Sequence, residues 1–559
     1  MPDAGAELPR LIPAPRRLER RPGWCGAEAL AREPRTETDS SLAPEAYRLE
    51  AGEAGTKIAA SGELGFFRAR QTLDQLRLSA AGRGIPALAI EDEPALPVRG
   101  VLLDISRGRV PRRARLERAI RRLAALKVNH LELYFEHPFR FAFDGDIAGE
   151  DAYSPDDLRA LDALCRELHI DFVPCFTCFG HLGKILSLPR YRALAEAEFP
   201  ASDWAHATFL QRLRGATVNP DAPGTRALFE TILGEFLPCF SSPNFNLCGD
   251  ETYDLGAHLG PGATGQELAA LYARHVWTIQ EIAGKFGKTV WLWGDMLHKH
   301  PDTVPLLPTN ATILDWAYFP SNDFTRCRLF AESGRRFLTC PSTRGFGMVF
   351  NRISEASDVI RRQTDAALRF GAAGLLNTDW GDFGHFNMPA SSLYPLALGA
   401  AQAWNPDTSE NDFDEAFSAY FHPVPLAKEA GEFPLRVVAS PFAPVHPRLA
   451  LEAQTPLDPG LAAEAVQRAE QIATAFAELE PTPFCDRAEL DELALAARTI
   501  RWNALREAGT IPPAELISAL DALEKAYTPL WFEESMPRGM LDIHARIFQP
   551  MRELLQRQG

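Results

Sequence analysis

Apolar and polar positions change rhythm twice along this chain. Across residues 1–96, the stretches YRLEAG and TKIAAS predict strands, and FFRARQTLDQLRLSA predicts an amphipathic helix with Phe67, Leu73 and Leu76 on one face. A Pro-rich join, DEPALPVRG, closes this part. From Arg99 onward short apolar runs alternate with longer helical stretches. The runs are GVLLD (100–104), HLELYFE (130–136), DFVPCFT (171–177), NFNLCGDE (244–251), VWLWGD (290–295), ATILDWAY (311–318), FLTCPS (337–342) and GLLNTDWG (374–381). Segments of helical period lie between most of them, such as RRARLERAIRRLAALK and DDLRALDALCREL. Repeated strand-then-helix predicts a parallel sheet. Eight such units within residues 97–405 match the count and size of a (β/α)8 TIM barrel. An open doubly wound sheet fits less well, because no Gly-rich phosphate turn follows the first run. After residue 405 the strand signal fades, and apolar residues three and four apart predict a helical C-terminal domain over 406–559. The expected architecture is therefore α/β: a small N-terminal α/β domain (1–96), a (β/α)8 barrel (97–405) and a helical C-terminal domain.

Composition narrows the class. The net charge of −16 argues against nucleic acid or an anionic membrane as partner, since both reward clustered Lys and Arg. The one basic run (Arg10, Arg16, Arg17, Arg20, Arg21) is broken by prolines and Glu19 and reads as solvated surface. No stretch approaches the about 20 apolar residues of a membrane span, and the first residues lack a signal-peptide layout. Nine cysteines, several inside apolar runs, suit reduced buried thiols and a cytoplasmic setting. Cys175 and Cys178 form a C-x-x-C, but no matching pair stands elsewhere and the run is strand-like, so redox or zinc chemistry is disfavoured. His181, His298, His300 and His385 show no zinc-ligand spacing with acids along the chain, and no metal or organic cofactor is expected. A homodimer through the C-terminal helices is compatible with the sequence but not specified by it.

The chemistry gathers at the ends of the apolar runs: Asp104, Glu136, His181, Asp250 and Glu251, Trp293 and Asp295, Trp316 and Tyr318, Trp380 and Asp382. In a barrel those ends share the face where active sites sit. The run ending NLCGDET carries two adjacent acids. Leaving a strand, neighbours are expected to point to opposite sides, one into the pocket mouth and one beneath it. Capping of the following helix is the bland alternative for this pair. Acids, tryptophans and an arginine at a barrel mouth suit a sugar, because aromatic faces stack on a pyranose while acids and arginines bind its hydroxyls. Adjacent acids make an awkward acid and nucleophile, which must flank the scissile bond. They suit substrate assistance better, with the sugar's 2-acetamido oxygen as nucleophile. A direct nucleophile among Asp104, Glu136 and Asp382, or a non-catalytic sugar-binding protein, are the alternatives.

Four motifs resemble one known family. RGVLLDISRGRVP (99–111) with LAALKVNHLELYFE, VPCFTCFGH, NLCGDET, and the pair VWLWGDM and TDWGDFGH are similar to segments of the family 20 glycoside hydrolases, the β-N-acetylhexosaminidases. IPAPRRLE with FFRARQTLDQL resembles that family's accessory domain, and YTPLWFEESMPRGMLDIHARI resembles the helical tail of a cytoplasmic bacterial subgroup. The resemblance implies Glu251 as general acid and then base, Asp250 as partner of the acetamido N–H, and His181 as support for the acid. It implies Arg99 on the ring hydroxyls, Trp293, Trp316 and Trp380 as pocket walls, Asp382 on the distal hydroxyls, and Tyr318 on the acetamide carbonyl. The chain departs from the family pattern at Thr177, where an Asp is usual, around Glu136-His137, and at Asp382, where Glu is common.

Overall fold

The computed structural model describes residues 7–198, 215–382, 384–439 and 457–558. Strands β1 (Arg17–Gly26), β2 (Arg35–Thr38), β3 (Tyr47–Gly52), β4 (Gly55–Ala60) and β5 (Gly84–Asp92) form a sheet in the order β1-β5-β3-β4-β2. The helix Glu63–Ala80 buries Leu73 and Leu76 against this sheet, while Phe67 stays half-buried against His169. The basic run is largely solvated, but it also builds β1, an edge strand whose register slips between Arg20 and Trp24. Its burial does not alternate, so the sequence carried no strand rhythm there.

The eight apolar runs become β6 (Val98–Asp104), β7 (His130–Phe135), β8 (Asp171–Phe176), β9 (Asn244–Asn246), β10 (Thr289–Trp293), β11 (Thr312–Trp316), β12 (Phe337–Cys340) and β13 (Gly374–Asp379). All run parallel, and β13 pairs with β6 from Gly374↔Val98 to Asp379↔Leu103, closing the barrel. Closure rules out the open doubly wound sheet. Strands covered on both faces read as near-continuous apolar runs, as in β10, where Val290, Trp291, Leu292 and Trp293 are all buried.

Two later helices position the barrel mouth. The helices Arg487–Ala508 and Pro513–Glu534 pack against the loops that follow β6 and β13. Arg115 binds Glu489 and Glu534, the Met536 N–H donates to Val110 O at 2.7 Å, and the Ala390 N–H donates to Glu492 at 2.9 Å. Arg109 lies over the Trp531 ring at 4.0 Å and donates to the Tyr527 hydroxyl at 3.0 Å. Among the described residues, no helix is long and apolar enough to cross a membrane. All nine cysteines are free and buried.

Candidate active site

The loop after β9 sets the geometry. The strand ends at Asn246, whose side chain accepts the Cys248 N–H at 2.9 Å. Cys248, Gly249 and Glu251 then take positive φ of 64°, 83° and 47°. Left-handed backbone at non-glycine residues is uncommon and gathers at functional sites. Gly249 fits because a Cβ there would meet the Tyr272 hydroxyl at 2.8 Å. Gly180 fits because a Cβ would meet the Asp250 carbonyl oxygen at 2.3 Å, so the two loops pack backbone to backbone.

These turns overturn the expectation that Asp250 and Glu251 point apart. Both carboxylates reach one imidazole: His181 Nε2 lies 3.3 Å from Asp250 Oδ2 and 3.2 Å from Glu251 Oε2. Neither acid caps a helix: the short 3-10 turn Ala257–Leu259 starts at Gly256, and the next α-helix, Gly265–Gly284, begins with its own Thr264–Glu267 capping box. Burial opposes charge on His181, but Asp250 and Glu251 outweigh it and hold the imidazole well above its usual pKa. Asp295, just past β10, accepts the Glu251 N–H at 3.0 Å. Burial, reinforced by the neighbouring acids Asp250 and Glu251, pushes the Asp295 carboxyl up to about 7.

A second cluster centres on Arg107, three residues beyond β6. Its guanidinium lies 3.2 Å from Asp104 Oδ2, 3.3 Å from Asp382 Oδ1 and 3.6 Å from Glu136 Oε1. It rests over the rings of Tyr134 and Trp380, each 4.9 Å from the ring centre. Tyr134 donates to Glu136 at 3.0 Å, and Asp104 also accepts the Gly381 N–H at 2.9 Å. Burial pushes Asp382 up to about 6 against the pull of Arg107. The aromatic residues adjoin this cluster. Trp380 donates to the Tyr318 hydroxyl at 2.8 Å and lies 6.0 Å from Trp293, and Trp316 stacks on Tyr318 at 4.8 Å. The indole N–H groups of Trp293 and Trp316 are buried without a partner.

Of the residues singled out from sequence, Glu251, Asp250, His181, Trp293, Trp316, Tyr318, Trp380 and Asp382 thus lie at the C-terminal end of the barrel. Arg99 does not. It is the second residue of β6, at the opposite end, where its guanidinium donates to Lys127 O, Leu96 O and Pro97 O and pairs with Glu45. A strand's first residues face the barrel's N-terminal end, so Arg99 cannot reach the pocket. At the C-terminal end the arginine among the acids is Arg107. Sequence reasoning also passed over Asp295 and Tyr134 as site residues, and it considered Glu136 only as an alternative nucleophile.

Space shows one spacing that the chain order hid. His181, Asp250 and Glu251 have ligand atoms within 4.8 Å of one another, the only such group among the described residues with room for a metal ion. Both carboxylates face the same ring nitrogen, so the imidazole holds the two acids side by side.

A parallel barrel with carboxylates and indoles converging on its C-terminal mouth is the layout of a glycoside hydrolase. Comparison with known proteins narrows the class. Residues 97–346 match the model of the glycosyl hydrolase family 20 catalytic domain, and residues 26–93 match domain 2 of the same family. The chain belongs to glycosyl hydrolase family 20. A beta-hexosaminidase of Akkermansia muciniphila is 28% identical over 263 residues, 43% of this chain and 51% of that protein. The chain thus spans about half the length of that curated relative, and 39% of a second, from Vibrio furnissii. Among solved structures, a Flavobacterium johnsoniae chitobiase shares the fold with a TM-score of 0.59 at 15% identity, over 98% of this chain and 99% of that one. A beta-N-acetylhexosaminidase of Streptomyces coelicolor shares it at 0.56 and 19%, over 78% and 98%.

Proposed function

We propose that this protein is a retaining, exo-acting β-N-acetylhexosaminidase that releases terminal β-GlcNAc or β-GalNAc by substrate-assisted catalysis. Family membership and the beta-hexosaminidase relatives support the substrate class. One observation carries the mechanism: Asp250 and Glu251 share His181, while the other pocket acids, Asp104, Glu136 and Asp382, are held by Arg107. Asp250 and Glu251 lie side by side on one imidazole, so neither is placed to attack the anomeric carbon across the bond from the other, and Asp295 is bonded to the Glu251 N–H; the substrate's own acetamido oxygen takes that part.

In the first step the Glu251 carboxyl gives its proton to the glycosidic oxygen as the C1–O bond breaks, and the acetamido oxygen bonds to C1. Asp250, whose Oδ1 is buried without a partner, accepts the acetamido N–H and stabilises the positive oxazolinium ring. Tyr318 already accepts the Trp380 N–H, leaving its own proton for the acetamide carbonyl. His181 holds the two acids together. In the second step Glu251 takes a proton from water, which opens the ring at C1. Arg107, Asp382 and Glu136 bind the hydroxyls at the closed end, and Trp293, Trp316 and Trp380 wall the ring.

A non-catalytic sugar-binding protein has some support from Thr177, whose hydroxyl is buried without a partner where the family usually carries an acid. Asp250 and Glu251 nevertheless hold His181 without that acid, which favours catalysis. The free buried thiols support a reducing, cytoplasmic setting. The test is turnover of aryl β-GlcNAc and β-GalNAc. Glu251→Gln is expected to lower it by about 10² or more, and full activity in that variant would remove Glu251 from its role.

A further inference from the structure

One neighbour of Glu251 stands outside the groups so far given a role. Tyr253, two residues past Glu251, donates its hydroxyl to Glu251 Oε1 at 3.0 Å. Its ring is 55% exposed, against 19% for the Glu251 side chain and 15% for Arg107 at the closed end. The order from buried guanidinium through half-buried acid to open ring follows the path a departing group must take. The loop bearing Tyr253 is anchored from below: Glu196 accepts the Gly256 N–H at 3.1 Å and pairs with His258 at 2.7 Å. The hydroxyl bond leaves Glu251 Oε2 on the His181 side and fixes the plane of the carboxyl group.

Building on the hexosaminidase reading, we infer that Tyr253 is the leaving-group residue of this site. Its ring is the platform for the departing sugar or aryl group, and its hydroxyl orients the carboxyl that protonates that group's oxygen. The two functions separate by substitution. Tyr253→Phe keeps the platform and loses the hydroxyl bond; Tyr253→Ala loses both.

The experiment compares wild type and both variants on a β-linked GlcNAc disaccharide and on dinitrophenyl β-GlcNAc, whose leaving group departs without a proton. Tyr253→Phe is expected to lower kcat on the disaccharide about tenfold, the worth of a hydrogen bond to a charged group, and to leave the dinitrophenyl substrate unchanged. Tyr253→Ala is expected in addition to raise KM for the disaccharide by about three- to tenfold through lost stacking. Tyr253 is exposed, so neither variant should disturb folding. Equal effects on both substrates, or no effect on either, would overturn the role of Tyr253 while the hexosaminidase reading stands. A wild type inactive on both substrates would overturn that reading, and this inference with it.

Discussion

The two ends of the barrel use the same residue types for opposite ends. At the N-terminal end Arg99, Lys127, Asp92, Glu45, Tyr47 and Trp404 join the barrel to the small sheet domain. Lys127 donates to Asp92 at 2.8 Å and to Tyr47 at 2.9 Å, Trp404 donates to Asp92 at 2.8 Å, and Arg99 lies 4.9 Å over the Trp404 ring. At the C-terminal end Arg107, the acids and the tryptophans form a similar set, but buried polar atoms are left over there. His181 Nε2, Asp250 Oδ1, Asp295 Oδ1, Thr177 Oγ1 and the indole nitrogens of Trp293 and Trp316 have no aligned hydrogen-bond partner. Native interiors rarely tolerate such atoms. In the N-terminal cluster Arg68 Nη2, beside Glu45, is also left over, so the contrast is one of concentration: the N-terminal set is mostly paired and acts as a joint, whereas six unpartnered atoms gather at the mouth, where a ligand can meet them.

Substitution at each end should separate these roles. The largest effect is expected at Arg107. Arg107→Met leaves Asp104, Glu136 and Asp382 buried without their cation and removes the partner of the distal hydroxyls, so kcat/KM should fall by about 10² to 10³. Steady-state kinetics on an aryl glycoside measures it. Arg99→Met should do the reverse. Glu45 keeps its bond from Arg68, so the loss is about 3 kcal/mol of stability, read by denaturant melting, with kcat of the folded enzyme intact. A catalytic defect in the Arg99 variant would dissolve the contrast.

Asp295 gives a smaller, pH-dependent effect. Burial and the neighbouring acids raise its folded carboxyl to about 7, so the folded state binds that proton more tightly than the unfolded chain does. The stabilisation is complete below the unfolded carboxyl range of about 3.9 and is lost as pH rises towards 7. Asn at 295 keeps an oxygen for the Glu251 N–H but does not ionise. Asp295→Asn should therefore gain Tm relative to wild type at pH 8 and gain least at pH 5, as thermal melts across pH will show. The smallest expected effect is none: dialysis against a chelator should leave turnover unchanged if the His181 triad binds no metal in use.

Much of this was legible before any coordinates. The eight strands were, because parallel strands buried on both faces leave near-continuous apolar runs. The mistaken choice of Arg99 over Arg107 was avoidable. Arg99 precedes its apolar run and Arg107 follows it, and in a barrel only residues after the run reach the mouth. The shared orientation of Asp250 and Glu251 was not legible. It depends on left-handed backbone at Cys248 and Glu251, which side chains of those types do not announce. Asp295 was visible as a strand-end acid, but its bond to the Glu251 N–H arises only when two strands adjacent in the barrel are brought together.

The most direct test of the account is the affinity of wild-type protein for a GlcNAc-thiazoline, a stable mimic of the oxazolinium ring. If Asp250 and Tyr318 are set for the substrate's own amide to attack, the thiazoline should inhibit competitively and bind at least about 10² times more tightly than GlcNAc. Binding no tighter than GlcNAc would contradict substrate assistance and return the search to a carboxylate nucleophile on the protein.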